Sequence, residues 1–343
     1  MSNRTEISTL GEFGLIRHLT DRIEIKNNST IKGVGDDAAI LSYEDRQVLV
    51  TTDLLLEGIH FDLTYVPLKH LGYKSAVVNF SDIYAMNGQP KQITVSLGIS
   101  KRFSVEDVED FYAGLKLACD VYGVDIVGGD TSASLTGLCI SITCIGEGER
   151  DKVVLRSGAQ ETDLICVSGD LGAAYMGLQL LEREKRIFKG EKDFTPDFTG
   201  KEYLLERQLK PEARKDIIEM LRRAGIIPTA MMDISDGLSS ELLHISKESN
   251  VGCRVYEDRI PIDYQTAAMA EQFNMNLVTA ALNGGEDYEL LFTVPLTDHD
   301  KVSEMKGVKV IGHITKPGLG NYLVGRDGGE VELKAQGWNS LEE

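Results

Sequence analysis

Five short motifs in this 343-residue chain set an aspartate beside small or glycine residues at the edge of an apolar segment. They are Gly35-Asp36-Asp37-Ala38-Ala39, Thr51-Thr52-Asp53, Ser81-Asp82, Gly128-Gly129-Asp130-Thr131 and Met232-Asp233-Ile234-Ser235-Asp236-Gly237. Taken singly, Asp next to Gly is turn or helix-cap chemistry. As a set the motifs offer hard oxygen ligands, and magnesium takes one or two carboxylates together with phosphate oxygens and water. Without cations the same carboxylates would repel a nucleotide, so a metal site and a nucleotide site stand or fall together.

Thr51-Thr52-Asp53 is expected to end a strand, Gly129-Asp130 follows the apolar run 124–127, and Asp233 follows Met231-Met232. Several carboxylates would then sit at strand ends, where α/β folds bind ligands. Asp82 lies in a helix-like stretch, 73–86, in which Ser75, Asn79 and Asp82 form one polar stripe at i, i+4 and i+7. That stripe faces either an ion or solvent, and the sequence leaves both readings open. His60, between Ile59 and Phe61, reads from the sequence as a satisfied core histidine, Trp338 as an anchor of the C-terminal end, and Arg156 as a surface charge. The chain has no G-x-x-x-x-G-K-[ST], no H-R-D catalytic loop and no G-x-G-x-x-G opening a helix, which excludes the common kinase folds.

The elements that must position these residues alternate along the whole chain, which argues for a mixed α/β protein. Residues 48–52, 93–97, 138–145 and 164–167 read as strands. A helix opens at Ser104 with Asp107 three residues on as in a capping box, and carries Val105, Val108, Phe111, Leu115 and Ala118 at helical spacing. Further helices are expected over about 171–183 and after Pro211. The polar, glycine-containing segment 146–152 marks a boundary between domains 1–150 and 151–343, and the charged segment 184–202 reads as a mobile surface loop.

Composition narrows the partners. The 54 Asp and Glu against 36 Lys and Arg give a formal charge of −18, which repels nucleic acids and anionic membrane surfaces. No apolar run approaches a membrane span, and the N-terminus lacks the apolar stretch of a signal peptide. Five cysteines, an odd number without a C-x-x-C pair, read as reduced core thiols of a cytoplasmic protein.

Four more motifs fall in order among the acidic ones: Gly11-Glu12-Phe13-Gly14-Leu15-Ile16, Glu57-Gly58-Ile59-His60-Phe61, Arg156-Ser157-Gly158-Ala159 and Gly284-Gly285-Glu286-Asp287-Tyr288-Glu289-Leu290. With them the chain, almost to its end at Trp338, resembles the thiamine-monophosphate kinases of the aminoimidazole ribonucleotide synthetase superfamily. The resemblance implies a two-domain α/β (α+β) fold whose N-terminal sheet forms a barrel across a homodimer, followed by a C-terminal α/β domain. It implies ATP-dependent phosphorylation of thiamine monophosphate to thiamine diphosphate, the last step of that biosynthesis. Carried over by motif, Asp37, Thr51, Thr52, Asp53, Asp82, Asp130, Asp233 and Asp236 look like magnesium ligands, direct or through water. Gly129, Asp130, Arg156 and Ser235 look like ATP contacts, and His60, Glu286 and Trp338 like the thiamine phosphate pocket. On this reading the Arg156 fork suits phosphate oxygens and Trp338 stacks on a thiamine ring.

No general base is expected, because a phosphate ester with a second pKa of about 6 is already mostly ionised at neutral pH. The resemblance leaves open how many magnesium ions bind and whether potassium assists. Among sister enzymes, a selenide-activating one would need a cysteine or selenocysteine near the N-terminus, whereas the first cysteine is Cys119. A hydrogenase-maturation relative would need a C-terminal cysteine, whereas the chain ends Leu341-Glu342-Glu343. Aminoimidazole ribonucleotide synthetase and a non-catalytic nucleotide-binding relative stay as alternatives, with the His60 and Glu286 motifs favouring the thiamine enzyme. One departure is Ala85-Met86-Asn87-Gly88, where the family commonly reads Ala-Met-Gly; asparagine tolerates the left-handed backbone such a turn needs.

Overall fold

The structure, a computed structural model, describes residues 18–32, 40–41, 47–188 and 198–335. Asp37, Trp338, the motif at 11–16 and residues 189–197 of the charged segment therefore lie outside the described residues. The described chain falls into two units, one running to Ile83 and again over Gly88–Asp151, the other comprising Tyr84–Asn87 and everything from Lys152 on.

In the N-terminal unit a short antiparallel pair, β1 (Thr30–Lys32) and β2 (Ile40–Leu41), precedes the long strand β3 (Gln47–Leu56). Helix α1 (Leu68–Ala85), strand β4 (Gln89–Ile99), helix α2 (Val105–Tyr122), β5 (Asp125–Ala133) and β6 (Cys139–Gly148) follow. The sheet order is β3-β6-β4-β5, antiparallel except for the parallel pair β4 and β5. It is an open four-stranded sheet, and no barrel closes within the described chain. One face is buried through Ile140, Ile142, Cys144, Ile93 and Val95; the opposite face of β3 exposes Val48, Val50 and Leu54.

Ser104 caps α2 as expected: its hydroxyl accepts from the Asp107 N–H and the Asp107 carboxylate accepts from the Ser104 N–H. The two helices approach backbone to backbone. A Cβ at Gly72 would lie 1.9 Å from the Phe111 carbonyl oxygen, and one at Gly114 would lie 1.7 Å from that of Lys69. Only glycine fits either position.

In the C-terminal unit β7 (Leu164–Ser168) is followed by α3 (Ala173–Phe188), α4 (Glu202–Leu209), α5 (Lys215–Ala224) and β8 (Ala230–Asp233). Then come α6 (Leu238–Ser249), β9 (Gly252–Tyr256), α7 (Tyr264–Gln272), α8 (Leu277–Asn283), β10 (Leu290–Val294), α9 (His299–Ser303), β11 (Val308–Thr315), β12 (Asn321–Val324) and β13 (Glu330–Glu332). The seven strands order β13-β12-β9-β11-β7-β10-β8, with β9 and β12 the parallel pair. Ile165, Val167, Met232, Leu291 and Ile311 of the sheet bury their side chains against Leu238, Leu242 and Ile245 of α6.

Three expectations are amended. Helix α3 runs to Phe188, so residues 184–188 are helix rather than loop, and α4 takes up residue 202. The helix after Pro211 begins at Lys215, so proline stands ahead of the first turn instead of in it. Asp53 and Asp130 lie within strands and not at their ends, because β3 stays paired with β6 as far as Leu56 and β5 with β4 as far as Ala133. No described helix is long and apolar enough to cross a membrane.

Candidate active site

In the N-terminal unit three of the expected ligands come together on the helix-covered face of the sheet. Thr51 and Asp53 alternate with exposed Val50, Thr52 and Leu54, so their side chains turn toward α1. The Thr51 hydroxyl donates to Asp82 Oδ2 at 2.5 Å. Burial, and then the Asp82 charge, push the Asp53 carboxyl up to about 7. The polar stripe of α1 does not act as a unit. Ser75 bonds back to the Leu71 carbonyl at 2.7 Å and the Asn79 amide to that of Ser75 at 3.1 Å, while Asp82 alone meets the sheet.

Thr52 and Asp130 face the other way. The parallel ladder shifts register between Ile93 and Thr94, so that Asp130 stands beside Ser96, in the row of Ser141 and Leu54. A regular ladder would have set Asp130 beside Leu97 and on the face of Asp53. The extra residue of the bulge turns it to the open face. There its Oδ1 accepts from the Thr131 N–H at 2.9 Å, and Thr52 donates to the Ile142 carbonyl at 3.1 Å. Gly129 holds β5 close to β4: a Cβ there would meet the Val95 carbonyl oxygen at 2.0 Å.

At the end of β3, the Leu56 N–H donates to His60 Nδ1 at 3.0 Å, and the His60 N–H returns to the Leu56 carbonyl at 2.9 Å. A neutral His60 therefore carries its proton on Nε2 and presents a donor away from the backbone. Glu57 braces the loop by accepting from the Leu138 N–H at 2.8 Å and pairing with Arg102, whose hydrogen bond chiefly lowers the Glu57 pKa.

In the C-terminal unit the Asp233–Gly237 turn and the glycine-rich segment before β10 are laced together. The Glu286 N–H donates to the Ser235 carbonyl at 2.7 Å, the Tyr288 N–H to that of Ile234 at 2.9 Å, and the Ile234 N–H to that of Glu289 at 2.8 Å. Asp233 is buried at the end of β8, whereas Asp236 is exposed. Arg156 is exposed on a loop anchored by Ser249, whose hydroxyl accepts from the Gly158 and Ala159 N–H groups, each at 3.1 Å.

Sequence reasoning missed Glu241, Arg207 and Gln208. Glu241 accepts from the Asp236 N–H at 2.9 Å, and burial, with Asp236 and Asp233 nearby, pushes its carboxyl up to about 8. Arg207 donates to Glu289 at 2.7 Å, and Gln208 to Glu286 at 2.8 Å. A glutamate three or four residues past a helix start is the one signal that pointed at Glu241. Arg207 and Gln208 look like ordinary polar positions of the short amphipathic stretch that forms α4.

Among the described residues no three His, Cys, Asp or Glu side chains converge as a ready-made metal cage. The Asp53 and Asp82 pair with the Thr51 hydroxyl still fits magnesium, which needs few protein carboxylates and draws the rest of its shell from phosphate and water. The raised Asp53 carboxyl follows from its partial burial and then from the neighbouring Asp82 carboxylate.

Residues 35–147 match the family of AIR synthase related protein, N-terminal domain, and residues 160–324 its C-terminal domain counterpart. The thiamine-monophosphate kinase of Aquifex aeolicus is 36% identical over 320 residues, 91% of this chain and 97% of that protein. That of Bacillus subtilis is 31% identical over 339 residues, 96% and 99% of the two chains. A solved structure of AaThiL complexed with AMPPCP and TMP superposes with a TM-score of 0.75 at 35% identity, covering 99% of this chain and 100% of its own. The thiamine-monophosphate kinase of Stenotrophomonas maltophilia K279a gives 0.77 at 30% identity, covering 93% and 95%. The hydrogenase maturation protein HypE, at 17% identity and 0.74, shares the fold.

Proposed function

This chain belongs to the thiamine-monophosphate kinase family, and on that footing we propose that it transfers the γ-phosphoryl group of ATP to the phosphate of thiamine monophosphate, yielding thiamine diphosphate and ADP. The observation that carries the reading is the half-buried pair Asp53 and Asp82 with the Thr51 hydroxyl, hard oxygen ligands set side by side that suit a cation and, through it, phosphate. An oxygen of the acceptor phosphate forms the new bond to the γ-phosphorus while the bond from that phosphorus to its bridging oxygen breaks, leaving ADP. The attacking oxygen is already ionised, so the transfer requires no general base. Bound magnesium supplies neutralisation of the phosphate oxygens and a fixed orientation for in-line transfer.

The chain's residues divide the remaining work. Several magnesium ions would be held, directly or through water, by Thr51, Asp53 and Asp82 on the helix-covered face, by Thr52 and Asp130 on the open face, and by Asp233 and Asp236, with Asp37 as a further ligand. Gly129, Asp130, Arg156 and Ser235 contact ATP, with the planar Arg156 fork suited to phosphate oxygens. His60 offers its Nε2 proton, and Glu286 its carboxylate, to the acceptor, and Trp338 completes that pocket. Nucleotide binding falls chiefly to the N-terminal domain, 1–150, with 151–343 as the C-terminal α/β domain. Potassium as an assisting ion belongs to the same reading.

The open sheet face supports a homodimer whose N-terminal sheets close a shared barrel: Val50 is 65% exposed and Leu54 52% exposed on β3, and apolar strand faces of this kind are buried in assemblies. The test of function is direct. The purified chain, incubated with ATP, magnesium and thiamine monophosphate, should form thiamine diphosphate and ADP in equal amounts. No product, with aminoimidazole ribonucleotide formed from its precursor instead, would overturn the assignment.

A further inference from the structure

Three carboxylates cluster in the segment Glu286-Asp287-Tyr288-Glu289, and they are not equivalent. Asp287 is 2% exposed and accepts from the Gly172 N–H at 2.8 Å and the Ala174 N–H at 3.4 Å, at the start of α3. Glu289 is 1% exposed and is held by Arg207 at 2.7 Å, by the Ser168 hydroxyl at 2.5 Å and by Arg214. Both are spent on the fold. Glu286 is half-buried, and so is the one a ligand can reach.

Glu286 is also held in a costly conformation. Its φ is +58°, with Gly285 at +70° before it and Tyr288 at +51° after it. A left-handed backbone costs an L-residue about 1–2 kcal/mol, and such residues persist where the surroundings over-determine them. Helix α4 supplies part of that determination. Arg207 Nη2 donates to the Asp170 carbonyl at 2.9 Å while Nη1 holds Glu289, which pins α4 against the segment. The next residue, Gln208, is 5% exposed, and its Nε2 donates to Glu286 Oε2 at 2.8 Å.

We propose that Gln208 is a positioning residue for the acceptor pocket: its side-chain amide fixes the direction of the Glu286 carboxylate, and Arg207 fixes Gln208. The inference rests on the reading of Glu286 as an acceptor contact. The choice of an amide is chemically telling. An arginine or lysine at 208 would orient Glu286 equally well but cancel its charge, whereas a neutral donor leaves the carboxylate able to attract the cationic, amine-bearing thiamine portion of the substrate.

The experiment is a double-mutant cycle in the full-length chain between Gln208→Met, which conserves volume and removes the donor, and Glu286→Ala. Losing one hydrogen bond to a charged group predicts a KM for thiamine monophosphate raised about tenfold in Gln208→Met. kcat and the KM for ATP should stay within about twofold, and the unfolding midpoint should confirm a folded protein. In the Glu286→Ala background Gln208→Met should change the acceptor KM no further. An unchanged acceptor KM in Gln208→Met, an equal rise in both backgrounds, or an equal rise for ATP would each overturn the positioning role. Glu286→Ala alone tests the underlying reading: if it leaves the acceptor KM unchanged, Glu286 is not an acceptor contact and the inference falls with it. Should Gln208→Met not fold, Gln208→Glu serves in its place, since a carboxylate facing Glu286 must raise the acceptor KM if the two side chains meet, and an unchanged KM overturns the proposal.

Discussion

The backbone N–H of Glu286 donates to the carbonyl oxygen of Ser235 at 2.7 Å, joining a residue assigned to the acceptor with one assigned to ATP. The bond crosses between two turns, each at one end of the paired strands β8 and β10. If Ser235 and Glu286 hold the two substrates as proposed, a shift of either turn would move both contacts together.

Gly285 is the position where that coupling can be broken. An alanine Cβ would stand 2.6 Å from the Ser235 carbonyl oxygen, on a backbone with φ +70°. Gly285→Ala should destabilise the protein by about 2–4 kcal/mol, from left-handed strain plus a backbone clash. The KM values for ATP and for thiamine monophosphate should rise in parallel. Thermal unfolding and steady-state kinetics read both effects, and a rise confined to one substrate would refute the coupling.

Asp287 carries a pH dependence with a definite sign. Burial pushes its carboxyl up to about 6, with Arg207 and the Gly172 and Ala174 N–H groups opposing the rise. The folded pKa lies above the unfolded 3.8, so the group's contribution is full below about pH 4 and is lost as pH rises to about 6. Wild type should lose up to about 3 kcal/mol relative to Asp287→Asn across that window and run parallel to it above. Urea midpoints at stepped pH measure this; a constant offset from pH 4 to 7 would remove Asp287 as the source.

The thiols should be almost silent. Burial pushes Cys119 up to about 12 and Cys253 up to about 11, and raises Cys144 and Cys166 as well; of the five, only Cys139 is half-buried. Since the thiolate is the reactive form, a disulfide reagent at neutral pH should titrate no more than one cysteine in the native protein and five in denaturant. Rapid reaction of a second thiol in the folded state would contradict this packing.

What the sequence could disclose was what depends on neighbours along the chain. The Ser104 and Asp107 box is four residues long, and the left-handed Asn87, at φ +56°, follows from asparagine's own tolerance. The β-rich run closes at Thr51-Thr52-Asp53 in the sequence, yet the strand continues to Leu56 on the strength of its pairing with β6. The face of Asp130 is harder to read for a sharper reason: one bulge residue in β5 decides it, and Gly128-Gly129 permits a bulge without fixing which residue is extra. Glu241, Arg207 and Gln208 look like ordinary polar positions of amphipathic helices. Their roles arise from partners 5, 82 and 78 residues away.

Asp53 is the most direct test of the metal assignment. Asparagine preserves the shape but removes a charged ligand, and it relieves a carboxyl that burial and Asp82 already disfavour. Asp53→Asn should therefore lower kcat by about 10²–10³-fold, the usual cost of removing one electrostatic contact to a transferring group. Its metal-free unfolding midpoint should equal or exceed that of wild type, because a half-buried charge beside a like charge has gone. Wild type stripped with EDTA should lose turnover and regain it on titration with magnesium, whereas the variant should need higher magnesium for what activity it keeps. Near-normal turnover with an unchanged magnesium dependence would show that Asp53 holds no metal, and the half-buried pair would then need another explanation.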